Sequence, residues 1–360
     1  MDGFVKFCMN TIESLKKNWI RRPKRFIEAV DLQKDVGFAA KVFKTSLFIQ
    51  SSEKPFYTCI IKVPNKEGYE KLMANMQGAE NQGKQNDDSY MDEHLGIHNN
   101  ECNFYEHFRN LSEFPVPKVF YSEKYDPANK QNGMIFMEDL SEVAKAQGFV
   151  QSLKIDQVKK LVDILASFHA YQLSQSNAEW HGVLKKSQTE SDAHQEIIKS
   201  IQNVEANNNS LYAKQIGELE NTFFNQKSMV YFVEGICKEL GSPAVDLARL
   251  LVTSVDAEVR RELETFIFEY YIEKLTEAMK KPPEFDAGKF KTAYEFAFIN
   301  QCTAVMMLPP YFQVLSQDAS DERKPVYEAQ IAKLEVRARL AIEDAIKIAK
   351  KHKEHWAIKL

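Results

Sequence analysis

The spacing of apolar residues changes character near residue 150. Before it, Phe38 to Ile49 and Phe56 to Val63 are apolar stretches rich in β-branched residues, separated by Gln50-Ser51-Ser52-Glu53-Lys54-Pro55. That pattern predicts an antiparallel hairpin. The polar run Gly78 to Glu93 reads as a surface loop, and Asn99 or Asn100 as the cap of a following helix with Phe104, Tyr105 and Phe108 on one face. A second strand pair is predicted at Val119 to Tyr125 and Met134 to Leu140, around a turn containing Gly133. From Ile155 the period becomes helical, with Val158, Leu161, Val162, Leu165 and Phe168 three or four residues apart.

Ser242-Pro243 then gives a cap followed by proline in the first turn, a helix start. Further helices are expected at Ala257 to Lys280, Phe290 to Met307 and Val326 to His352, separated by Pro282-Pro283 and Pro309-Pro310. A strand-rich segment followed by a helical one implies an α+β fold with a small mixed lobe and a larger helical lobe. The expected boundaries are a helical N-terminal extension over 1–34, the mixed lobe over 35–138 and the helical lobe over 139–360.

Composition narrows the partners. Apolar residues make up 44% and aromatics 11%, enough for packed cores. The 47 basic and 51 acidic residues leave a formal charge of −4, so no broad positive field favours nucleic acid. No window approaches the apolar length of a membrane span, and Met1 to Arg22 lacks the apolar block of a secretory signal. The expectation is a cytoplasmic chain without membrane partners. Five scattered cysteines (Cys8, Cys59, Cys102, Cys237, Cys302) without a Cys-x-x-Cys pair predict reduced thiols rather than a disulfide framework or a zinc knuckle.

The residues that could carry chemistry are few. Lys62 shares a strand face with Thr58 and Ile60, so its ammonium must reach either solvent or a partner. Glu101 precedes Phe104 and Tyr105 by three and four positions, which puts a carboxylate on the apolar face of the next helix and offers that partner. His94, His98 and Glu101 have metal-like spacing, but the polar surroundings of His94 and the pairing of Glu101 argue against a metal site. Glu138 and Asp139 are neighbours on an extended chain and point apart, so they do not form an acid/base dyad. His169 on the apolar face of its helix and Asp246 in a first helical turn are assigned structural roles. Met306 to Phe312 reads as core, and the basic residues of Val326 to His352 as the solvent face of an amphipathic helix.

The order of several segments resembles the nematode branch of the CHK kinase-like proteins, related to ecdysteroid, choline and aminoglycoside kinases. The matching stretches are Ile60-Ile61-Lys62-Val63-Pro64, Asn100 to Tyr105, Pro115 to Val119, Met137-Glu138-Asp139-Leu140-Ser141, Leu165 to Ala170 and Gly241 to Arg249. The resemblance implies a two-lobed protein-kinase-like fold and ATP-dependent phosphorylation of a small-molecule hydroxyl. Lys62 would hold the nucleotide phosphates, Glu101 would orient Lys62, and Met137, Glu138, Asp139 and Leu140 would connect the lobes and meet the adenine. The departures matter as much. The family's His-Gly-Asp-Leu-Trp and Ile-Asp-Trp-like stretches are absent, Tyr231 to Gly241 runs directly into Ser242, and Asp35 to Ala40 has a single glycine for a phosphate-covering loop. The resemblance therefore implies ATP as ligand, no magnesium, no catalytic residue, and an internal truncation at 241/242. Two alternatives stay open: a non-catalytic nucleotide- or ligand-binding module, and a non-functional isoform or gene-model product.

Overall fold

The computed structural model describes residues 25–32, 40–49, 53–68, 88–108, 114–145, 147–174, 242–317 and 319–352. They fall into two compact units, one containing the described parts of Met1–Tyr69, Tyr90–Arg109 and Val116–Lys145, the other the described parts of the remainder. The architecture is α+β. The first unit holds an antiparallel sheet and one helix, and the described elements of the second are helices.

Five strands, β1 (Arg25–Asp31), β2 (Ala40–Ile49), β3 (Tyr57–Pro64), β4 (Val119–Asp126) and β5 (Gln131–Glu138), are ordered β1-β2-β3-β5-β4. Every pairing is antiparallel. The predicted hairpin is β2–β3, in a register that sets Val42 opposite Lys62 and Lys44 opposite Ile60. The predicted second pair is β4–β5, but Gly133, expected in the turn, is the third residue of β5, at φ 75°. Strand β5 lies between β3 and β4 and buries Met134, Ile135 and Met137, as an inner strand must. The outer strand β4 carries Lys124, follows Lys118 and has a register shift between Val119 and Tyr121, devices that discourage edge-to-edge pairing.

Helix α1 (Asp88–Phe108) packs Cys102 against Ile135 and Met137, with Ile60, Tyr105 and Val119 around them. Two expectations change here. Residues 25–31, assigned by sequence to a helical extension, form β1, because Phe26 to Asp31 finds a partner along the whole of Phe43 to Phe48. The helix begins at Asp88 rather than at Asn99 or Asn100, so the segment read as loop is helical from 88 onward; residues 78–87 lie outside the described residues. Asn99 instead ties the helix to β4: its amide donates to the Tyr125 carbonyl at 2.9 Å and accepts from the Tyr125 N–H at 2.6 Å. An interior asparagine that satisfies a strand's backbone is a tertiary use no local pattern announces.

The second unit begins with α2 (Ile155–Ser174). Val158, Val162, Ala166, His169 and Ala170 form its buried stripe, whereas Leu161, expected in the core, is 37% exposed. Helix α3 (Pro243–Ser254) starts as its sequence predicts: Ser242 accepts a hydrogen bond from the Ala244 N–H and Pro243 stands in the first turn. The remaining helices are α4 (Ala257–Leu263), α5 (Ile267–Met279), α6 (Ala287–Met306), α7 (Leu308–Gln317) and α8 (Lys324–Lys351). Pro309-Pro310, read as a separator, lies in the first turn of α7, where a proline forfeits no intrahelical bond.

Buried guanidinium groups tie these helices together. Arg337 on α8 donates to the carbonyls of Phe149 and Thr253 at 2.5 and 3.1 Å and to Asp256 at 2.6 Å. Arg260 on α4 pairs with Glu264 at 2.9 Å and Asp344 at 2.6 Å and lies over the Phe298 ring.

Gly133 generates a stability prediction. A Cβ there would stand 2.7 Å from the His98 ring and 3.2 Å from the Tyr125 nitrogen, at a positive φ that side chains rarely adopt. Gly133→Ala is expected to cost about 1–3 kcal/mol in urea denaturation. An unchanged midpoint would show that β5 relaxes freely at Gly133.

Candidate functional site

The helix-covered face of the sheet carries two lysines, one on each strand of the β2–β3 hairpin. Lys62 has Ile60 as its same-face neighbour on β3 and faces Val42 across the pair. Its Nζ donates to Glu101 Oε2 at 2.6 Å, and the side chains are 29% and 25% exposed. Helix α1 brings the carboxylate there because Glu101 precedes Cys102, whose side chain packs into the sheet. The Tyr105 hydroxyl, one helical turn further on, also bonds to Glu101. Burial, then the Glu101 charge and this bond, push the Tyr105 hydroxyl up to about 12, so it stays a donor. The ammonium is thus held by a carboxylate that is itself oriented, and enough of it is exposed to meet a ligand.

The second lysine is Lys44, which the sequence reading did not single out. Its Nζ lies 2.8 Å from Asp139 Oδ2, and the Asp139 side chain is only 4% exposed. Burial opposes ionisation of Asp139, but hydrogen bonds from Lys44, Ser141 and Thr58 outweigh it and hold the carboxyl well below the usual carboxylate range. Both the Ser141 N–H and its hydroxyl donate to Asp139. Thr58, Ile60 and Lys62 share their face of β3, so both ion pairs lie on one side of the sheet. The signal for Lys44 existed in the hairpin, where it opposes Ile60, but only a fixed register reveals it.

The other nucleotide-site candidates lie at the end of β5 and just after it. Met137 is buried against α1 and turns no side chain outward. The Glu138 N–H donates to the Lys118 carbonyl at 2.9 Å, and Glu138 Oε1 accepts from the Lys118 N–H at 2.6 Å. Glu138 and Asp139 therefore have separate partners and do not act as a dyad. The Leu140 carbonyl accepts from the N–H groups of Val143 and Ala144 at 3.0 and 2.8 Å, which uses both of its lone pairs within a turn.

In the second unit, His169 Nδ1 lies 2.9 Å from the Tyr271 hydroxyl and Nε2 lies 3.1 Å from Asp246 Oδ2. Burial, then the Asp246 charge, raise the Tyr271 hydroxyl far above its ordinary value, so it donates rather than ionises. His169 then accepts at Nδ1 and donates from Nε2 to Asp246. In the first unit, His98 Nε2 lies 2.9 Å from the Glu123 carbonyl and 3.4 Å from Cys102 Sγ. Among the described residues no group of three His, Cys, Asp or Glu is placed to hold a metal ion, and the His94 side chain lies outside them. Nor is any described helix long and apolar enough to cross a membrane.

Three comparisons bear on this arrangement. A family model described as "Uncharacterized oxidoreductase dhs-27" (DUF1679) matches residues 50–241 and 237–353. No curated protein matches the chain. Among solved structures, one from Ralstonia eutropha JMP134 assigned as an aminoglycoside phosphotransferase is similar at 10% identity and a TM-score of 0.41, over 95% of this chain and 98% of that one. A likeness that distant carries no argument about activity.

His98 carries a pH prediction. Burial lowers its pKa from the ordinary 6.5, outweighing the bond to Glu123 and the charge of Glu101. The unfolded chain takes up the proton first, so this contribution to stability is present above about pH 6.5 and is lost as pH falls through the folded value. Unfolding free energies at pH 7 and pH 5 are expected to differ less in His98→Gln than in the parent chain. Equal differences would assign the acid sensitivity to other groups.

Proposed function

The chain belongs to the family described as uncharacterized oxidoreductase dhs-27, and from that premise we propose a kinase-like protein whose first unit holds ATP without transferring its phosphoryl group. The 2.6 Å pair between Lys62 and Glu101 carries this reading. A phosphotransfer fold needs a fixed ammonium for the nucleotide phosphates and a carboxylate that orients it. Here the two come from residues 39 positions apart, brought together on a helix-covered sheet face. ATP would bring the polyphosphate charge, and Lys62 is the group that would meet it, while the Glu138 carbonyl at the end of β5 and the Asp139 backbone after it would meet the base.

The absence of transfer rests on the sequence. No His-Gly-Asp string occurs in the chain, so the aspartate that would accept the hydroxyl proton and the residues that would hold magnesium are missing. Charge neutralisation at the transferred group is worth several kcal/mol, and its loss together with the base leaves turnover close to nil. The family match supports an internal truncation here: it divides into two pieces that meet at 237–241, beside the Gly241-Ser242 junction. The matching stretches and their order support the finer assignment to the CHK kinase-like branch, with a small-molecule hydroxyl as the ancestral acceptor.

The oxidoreductase in the family's description belongs to that family's naming and finds little support in the geometry. Dinucleotide sites of that kind form at the ends of adjacent parallel strands, and every pairing in the described sheet is antiparallel.

Thermal shift with ATP is expected to fall in Lys62→Ala and in Glu101→Ala. The double variant should lose less than the sum, by a coupling of about 0.5–3 kcal/mol as for other contacting pairs, and magnesium should change little. Magnesium-dependent product formation from a sterol, choline-like or aminoglycoside acceptor, abolished by Lys62→Ala, would sink the non-catalytic reading. Failure of ATP to shift the parent chain at all would sink the nucleotide site.

A further inference from the structure

We infer that Lys44 is a positioning residue for base recognition: through Asp139 it fixes the segment that leaves β5, so that the Glu138 carbonyl and the Asp139 backbone are held ready for a purine. The inference rests on the nucleotide reading above and adds to it a residue on a different strand, acting on a different part of the ligand.

The geometry separates two tasks on one face of the sheet. Lys62 and its carboxylate are 29% and 25% exposed, as suits an ammonium that must exchange part of its pairing for a phosphate. Asp139 is 4% exposed, and it accepts from Lys44 on β2, from Thr58 on β3 and from both the N–H and the hydroxyl of Ser141. A carboxylate with its lone pairs so engaged has no capacity left for a ligand; its use is internal, as a knot binding the chain after β5 to two neighbouring strands. On the other side of that chain, Glu138 is fixed to Lys118 by a backbone and a side-chain bond. Backbone recognition of a flat base depends on donors and acceptors held at fixed positions before the ligand arrives, since ordering them afterwards subtracts from affinity. Among the described residues Lys44 is the cation that pairs with Asp139, and without it a buried carboxylate would be left with neutral donors alone.

The test compares ATP with inorganic tripolyphosphate, which carries the phosphates without a base. Binding of each would be measured calorimetrically to the parent chain, Lys44→Met, Lys44→Arg, Asp139→Asn and Lys62→Ala, with far-ultraviolet circular dichroism as the folding control. Lys44→Met is expected to weaken ATP about ten-fold, a loss in the range of one charge-assisted hydrogen bond, while tripolyphosphate binding stays at the parent value. Lys44→Arg should restore ATP. Asp139→Asn, which keeps the side chain's shape and removes its charge, should repeat the Lys44→Met pattern and stands in for it if that variant does not fold. Lys62→Ala should weaken both ligands. Equal losses of ATP and tripolyphosphate in Lys44→Met, or no loss of either, would overturn the role of Lys44 while leaving the Lys62 site intact. A parent chain that binds neither ligand would overturn both.

Discussion

A charged side chain on the helix-covered face of a sheet has to be paired, and the first unit is organised around that requirement. An unpaired ammonium or carboxylate in such a place costs several kcal/mol, comparable to the whole margin of a small domain. Lys62 and Lys44 both project to that face, and each has a carboxylate from another element, Glu101 from α1 and Asp139 from the chain after β5. The pairs fix where the helix and the exit of β5 must lie. The apolar contacts of Cys102, Ile135 and Met137 supply non-directional burial, whereas the ion pairs supply register.

The same logic, with arginine in place of lysine, orders the described part of the second unit. Arg337 reaches carbonyls at the ends of two segments distant in sequence, and Arg260 joins α4 to α8 while covering the Phe298 ring. A guanidinium has five donors in a rigid plane and can satisfy several carbonyls that a helix end leaves open, which a lysine cannot do. His169 plays the smaller version of this part, with both ring nitrogens engaged and its helix joined to α3 and α5. None of these groups is free to act on a ligand without dismantling a junction between helices.

The edge of the sheet next to α1 also carries a groove of about 530 Å³, lined by Tyr105, Glu106 and residues 119–124 of β4. Tyr105 belongs to both places, since it lines the groove and its hydroxyl bonds to Glu101. The register shift, Lys124 in β4 and Lys118 just before it explain why this edge does not simply extend the sheet with another strand.

The sequence by itself determined the elements with strong local codes. The β2–β3 hairpin, the β4–β5 pair and the Ser242-Pro243 helix start were legible because alternation, turn residues and capping act over a few positions. Lys62 and Glu101 were legible as a pair because each sat on a face whose apolar neighbours marked it as inward. Only the tertiary structure decided that residues 25–31 join the sheet, that Asn99 lies inside a helix and serves a strand, and that Lys44 answers Asp139. Each of these depends on a partner tens of residues away and on a register that shifts every side chain to the opposite face if it slips by one. Periodicity carries information about which face a residue occupies, and the identity of what waits on that face is settled when distant strands and helices meet.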